Sequence, residues 1–72
     1  MNFKQLLKLK RFNCSSLSRE LSVTSATVNL WANGSTEPNA ETIKKIAELC
    51  EVEPSVVFNA VLKTREEAKA GR

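Results

Sequence analysis

The chain contains no histidine and no tyrosine, and among its 72 residues are only two cysteines, two glycines and two prolines. Each shortage excludes something. Without histidine, and with Cys14 and Cys50 far apart and outside any C-x-x-C pair, a metal site lacks ligands and a disulfide framework lacks members. Both thiols read as reduced groups of a cytosolic protein, Cys50 as a small core residue. No nucleophile is paired with a base and no phosphate-binding glycine loop is present, so neither an enzyme, a cofactor nor a small-molecule substrate is expected. No segment approaches the roughly 20 apolar residues of a membrane span. Leu6, Leu7 and Leu9 are interrupted by Lys8 and Lys10, and no cleavage site follows, which is not a signal peptide. Few chain breakers and little β-branched alternation favour an all-α chain.

What is present fits a single small domain. At this length the buried fraction is modest and stability marginal, so association with a partner is plausible. The formal charge of +3 is a mild basic lean, suited to a polyanion without identifying one.

The hydrophobic spacing predicts five helices. Residues 2–11 form the first, with Asn2 as a candidate N-cap, Phe3, Leu6 and Leu7 on the apolar stripe and Lys4, Lys8 and Arg11 on the solvated side. Phe12 plugs the core, and Asn13 caps a second helix, 14–21, with Leu17, Ser18 and Leu21 on one face. Ser22-Val23-Thr24 is a tight break. Thr24 caps a third helix, 25–33, with Val28 and Trp31 on one side and Ser25, Ala26, Asn29, Leu30 and Asn33 on the other. Gly34 suits the position after its end. After a polar loop containing Pro38, Asn39 caps a fourth helix, 40–50, with Ile43, Ile46, Ala47 and Cys50 or Leu49 inward. Pro54 starts a fifth, whose apolar set is Val57, Phe58, Val61 and Leu62. From Lys63 the chain turns polar and is expected to fray, which sets a domain at 1–63 and a tail at 64–72. Two short helices around a tight break, the second with one packed and one displayed face, make a helix-turn-helix reader of DNA.

Residues 14–34 resemble the helix-turn-helix of the Cro/C1-type (xenobiotic-response-element-like) family of phage and bacterial regulators. That motif runs Q-x-x-L-A-x-x-L-G-V-S-x-x-T-I-S-x-W-E-x-G. The chain matches it at Leu17, Leu21, Val23, Thr24, Thr27, Val28, Trp31 and Gly34, with Ser18 a small substitute for Ala. The following family pattern, P-x-x-x-T-L-x-x-I-A-x-x-L-x-V, is matched by Pro38, Thr42, Ile43, Ile46, Ala47, Leu49 and Val52. The resemblance covers residues 3–62. It implies a compact five-helix, lambda-repressor-like domain, usually dimeric on a pseudo-palindromic operator.

The departures are specific. The family Gln at the start of the second helix is Cys14, and the turn Gly is Ser22, so Ser22 is expected in a left-handed or strained conformation. An Arg in the first helix and a Glu after the Trp, which form an ion pair in many relatives, are replaced by Leu7 and Ala32. Losing both partners can be neutral where losing one is costly, so Leu7 and Ala32 are expected to meet in the core.

No charged residue lies between Ser22 and Ser35, which rules out an Arg–guanine contact from the third helix. Asn29 has the amide geometry for adenine, Ser25 can donate or accept, and Ala26 and Leu30 suit thymine methyls. The resemblance puts Ser25, Ala26 and Leu30 at base-reading positions with Asn29 adjacent. A·T pairs are expected beneath them. Phosphate contacts are expected from Asn13, Ser15, Thr27, Asn33 and Ser35, with Arg19, Lys10 and Arg11, and further back Lys44 and Lys45, as the charged reserve. Asn13 matches a family phosphate-contacting position. The fifth helix carries more apolar surface than so small a domain buries, so Val57, Phe58 and Val61 are expected to meet a symmetry mate in a weak homodimer.

The first functional expectation is therefore a sequence-specific, non-enzymatic transcriptional repressor on double-stranded operator DNA in the cytoplasm of a bacterial host, nucleoid-associated when bound. The short chain favours a Cro-like phage or prophage regulator. The rival is a protein-interaction module of the same fold, such as an antitoxin, docking a protein through Ala26 and Leu30.

Overall fold

The computed structural model describes residues 1–70, and its five helices follow from local signals at their ends. Each of the first four begins behind a capping side chain. Asn2 caps α1 (Phe3–Leu9), Asn13 caps α2 (Cys14–Leu21), Thr24 caps α3 (Ser25–Asn33) and Asn39 caps α4 (Ala40–Cys50). In every case the side-chain oxygen accepts from the N–H three residues on, so a donor the helix cannot use internally is satisfied. At Asn2 and Asn13 the bond is reciprocal, with Gln5 and Ser16 reaching back to the cap N–H.

The four ends are closed by left-handed residues, of which only Gly34 is a glycine. Arg11, Ser22 and Glu51 take φ of 64°, 57° and 57°. At Ser22 the next N–H, that of Val23, donates to the Ser18 carbonyl at 3.0 Å. The left-handed Ser22 expected from the missing glycine is present. Arg11 plays the same part after α1, with Phe12 N–H on the Leu7 carbonyl at 2.8 Å. This turn ends α1 at Leu9, two residues before the expected limit.

The caps fix where the helices start and stop, and the apolar faces then fix how they pack. Phe3, Leu6, Leu17, Val28, Ile46 and Val57 are fully buried, one or two from each helix. Phe3 and Trp31 meet edge to face, with ring centroids 6.5 Å apart at 87°. Leu7 and Ala32 are both buried in this same cluster. Two apolar side chains therefore stand where the resemblance implied an ion pair, and no charge is desolvated there. Ser18 is buried between α2 and its neighbours, and its hydroxyl is satisfied by the Ser15 carbonyl at 2.7 Å.

The fifth helix departs most from expectation. α5 runs Pro54–Ala70, so the polar stretch after Lys63 does not fray but continues the helix. Thr64 is buried, accepts the Phe3 N–H at 2.8 Å and donates to the Ala60 carbonyl at 3.0 Å. Glu67 accepts from the Asn2 side-chain amide at 2.8 Å. The inward stripe is Val57, Ala60, Val61 and Thr64. Val57 and Val61, expected at a dimer interface, are therefore spent on the monomer core, because they lie one turn apart on the face that meets the other helices. Phe58 is half exposed, flanked by the partly exposed Val56 and Leu62. Among the described residues there is no strand, and no helix is long and apolar enough to cross a membrane.

Candidate nucleic-acid interface

The turn at Ser22 sets α2 against α3 through Leu17 and Val28, both fully buried. That packing holds the opposite face of α3 outward. Ser25, Ala26, Asn29, Leu30 and Asn33 are all exposed, as the spacing predicts, and Leu30 leaves 43% of its surface open. The displayed face therefore combines a hydroxyl, an amide and two apolar side chains without a charge. Its rigid support is Val28, Trp31 and Ala32, buried on the inner face of the same helix.

The expected phosphate-contacting residues fall into two groups. The first is uncharged, with Asn13, Ser15 and Thr27 near helix N-termini. Asn13 uses its Oδ1 as a cap to Ser16 N–H, which leaves its Nδ2 to donate outward, and Ser15 is exposed beside it. Thr27 is half-buried, with its hydroxyl 2.9 Å from that of Thr24. No acidic residue occupies the first turn of α2 or α3, so the positive ends of both helices remain available to an anion. Asn33 and Ser35 are exposed at the far end of α3.

The second group is charged. The first acidic residue in the chain is Glu20, and Lys4, Lys8, Lys10, Arg11 and Arg19 all precede it. Among the described residues the ion pairs are Lys45–Glu41 at 4.0 Å and Arg65–Glu37 at 2.7 Å. None of the amino-terminal cations is in an ion pair among the described residues, and positive charge collects on α1 and the turn that follows it, while Arg19 on α2 stands next to Glu20 and α3 carries no charge. Arg11 and Arg19 are exposed. Lys10 is half-buried and near Cys50, whose thiol is pushed above its ordinary value of 9.0 by burial, against the opposing pull of the Lys10 ammonium.

Sequence reading missed the carboxyl-terminal half of α5 as a neighbour of this surface. Arg65 reaches Glu37 in the α3–α4 loop, and Ala68 and Thr64 lie against Gly34 at the end of α3. The available signal was the spacing 57, 60, 61 and 64, which continues the buried face past Lys63. Glu37 also borders an open groove of about 480 Å³, lined by Pro38, Ala40, Ile43, Pro54 and Phe58 between the start of α4 and that of α5. Among the described residues no cluster of His, Cys, Asp or Glu is placed to hold a metal ion.

A family model described as helix-turn-helix matches residues 3–57, which spans all of α1 to α4 and the start of α5. No curated protein and no solved structure matches the chain.

Proposed function

The chain belongs to the Cro/C1-type helix-turn-helix family of DNA-binding transcriptional regulators, and we propose that it is a Cro-like repressor of phage or prophage type that lays α3 in the major groove of a pseudo-palindromic operator. The observation that carries this reading is the outward face of α3: Ser25, Ala26, Asn29 and Leu30 exposed on a helix whose inner face is locked into the core. With no Arg or Lys on α3, specificity rests on the Asn29 amide at adenine and on apolar contact with thymine methyls. Asn13, Ser15, Thr27, Asn33 and Ser35 contact the backbone, and Lys10, Arg11 and Arg19 add charge. Phosphate contacts position the helix, and base contacts select the sequence.

Two copies are needed to read a pseudo-palindrome, with recognition helices about 34 Å apart. The exposed Phe58, with Val56 and Leu62, is the surface through which they meet, in place of the buried Val57 and Val61. Selection of bound sites from a random duplex pool tests the whole reading. Recovery of half-sites related by two-fold symmetry, with A·T pairs at the Asn29 position, is expected. Asn29→Ala should bind the selected site and scrambled DNA with nearly equal affinity; full retention of discrimination would reject its base-reading role.

A second reading is favoured by one observation. Leu30 and Val23 are exposed apolar residues on or beside an uncharged helix, which also suits docking to a protein, as in an antitoxin. A gel shift on random duplex at low salt separates the two, because a protein-docking module does not retard the duplex.

A further inference from the structure

The loop that follows α3 holds a single acidic side chain, Glu37, at the edge of the surface assigned to DNA. An uncompensated carboxylate there repels phosphate. Arg65 lies 28 residues away, beyond the residues 3–57 that the family model matches, yet its Nη1 donates to Glu37 Oε2 at 2.7 Å. The approach is built in by the backbone: a Cβ placed on Gly34 would come within 3.5 Å of the Arg65 Cα, so α5 is seated directly on the end of α3. Both partners remain roughly half exposed. An ion pair with that much solvent contributes little to stability, so its consequence lies in the charge that it presents.

Resting on the DNA-binding reading above, we propose that Arg65 is an affinity determinant that acts through Glu37, cancelling the one negative charge in the loop that follows the recognition helix. It is a positioning and screening residue and not a base reader.

The test compares the full chain with Glu37→Gln, Arg65→Gln, the double variant and Lys69→Gln, each titrated on random duplex at low salt and again at 0.1 M. Arg65→Gln is expected to bind about threefold more weakly at 0.1 M, with the gap narrowing as salt rises. Glu37→Gln should bind at least as well as the parent, and the double variant should return to the parent affinity. Lys69→Gln removes the same charge from the same helix and should lose less. The melting temperatures should agree within a few degrees.

Four results overturn the proposal. If Glu37→Gln also loses affinity, the pair is a brace. If the double variant stays as weak as Arg65→Gln, Arg65 touches phosphate itself. If Lys69→Gln matches Arg65→Gln, only net charge matters. If every variant binds as the parent does, the pair has no part in binding. Failure of the parent chain to bind duplex at low salt is a different result, and rejects the DNA-binding reading on which the proposal rests.

Discussion

Gly34 and Ala68 are in such close apposition that a Cβ on the glycine would stand 2.8 Å from the Cβ of Ala68. Gly34 also has φ of +78°, where an L side chain is strained whatever the space around it. The glycine thus answers two demands: it ends α3, and it lets α5 close over that end. Gly34→Ala combines a left-handed penalty of about 1 kcal/mol with a clash against a helix-borne methyl that has no freedom to swing aside. A total loss of about 2–3 kcal/mol is expected in urea unfolding. Adding Ala68→Gly should recover only part of it, because the Thr64 carbonyl, 3.1 Å from the same Cβ position, stays in place.

One helix turn earlier, Thr64 supplies the hydroxyl that satisfies the Phe3 N–H in the core. Thr64→Val keeps the shape and strands a buried donor, for which about 1–3 kcal/mol of destabilisation is expected. Thr64→Ser retains the hydroxyl and should lose clearly less. Chemical denaturation of the two variants checks this. Equal stability of both would mean that water replaces the threonine and that the continuation of α5 past Lys63 contributes little.

These two contacts also mark where the sequence stops being legible. The caps Asn2, Asn13, Thr24 and Asn39 are local, each acting three residues along, and all four occupy the expected places. The core residues Leu17, Val28, Trp31, Ile43 and Ile46 are declared by helical spacing. The displayed face of α3 follows from the same spacing by exclusion. The end of α5 is different. Residues 63–70 carry little apolar signal, and what holds them is a threonine hydroxyl, a small alanine and a long-range ion pair; Thr64 falls on the helical spacing of 57, 60 and 61, but none of the three is a large apolar side chain that would mark the face. The misassignment of Val57 and Val61 has a related cause. Large apolar side chains suggested an outer patch, while the small Ala60 and Thr64, which complete the inner stripe, carry a weak hydrophobic signal.

The turn of the helix-turn-helix bears a correctable strain. Ser22 holds φ of 57° and ψ of 40°, a conformation that costs a residue with a Cβ about 1 kcal/mol relative to glycine. Its side chain is exposed, so Ser22→Gly removes no packing. Because the more flexible glycine raises the entropy of the unfolded chain, the net gain should be no more than about 0.5 kcal/mol. In a domain this small that is an increase of roughly 2–4 °C in melting temperature at most. DNA affinity should be unchanged, since the helix already occupies that pose. A lower melting temperature would show that Ser22 is not strained.

Cys50 makes stability depend on pH in the alkaline range. Burial raises its thiol above the ordinary value of 9.0 in the fold, with Lys10 pulling the other way. The folded state therefore holds the proton more tightly than the unfolded state does. The resulting stabilisation is complete below the unfolded value and is lost as pH climbs from there through the raised folded value. The melting temperature should fall between pH 8 and pH 10. Cys50→Ala should start lower, because it opens a cavity, and decline less over the same window. Parallel slopes for the two proteins would exclude the thiol as the source.

The exposed part of α5 separates folding from association. Val57 and Phe58 are adjacent in sequence, yet Val57 is wholly buried and Phe58 is 50% exposed. Their substitutions should fail in different ways. Val57→Ala removes core volume and should cost about 1–3 kcal/mol of stability. Phe58→Glu places a charge on the outer surface, where it leaves the monomer core intact and disfavours any apolar contact with a second copy. Sedimentation equilibrium should show the parent chain in a weak monomer–dimer exchange and Phe58→Glu shifted at least tenfold toward monomer, with a melting temperature near that of the parent under monomeric conditions. On DNA, Phe58→Glu should reduce affinity for a full operator and leave affinity for an isolated half-site unchanged, because only the full site couples two chains. Equal weakening on both would place Phe58 on the DNA side of the molecule, and equal association of parent and variant would move the dimer contact to another face.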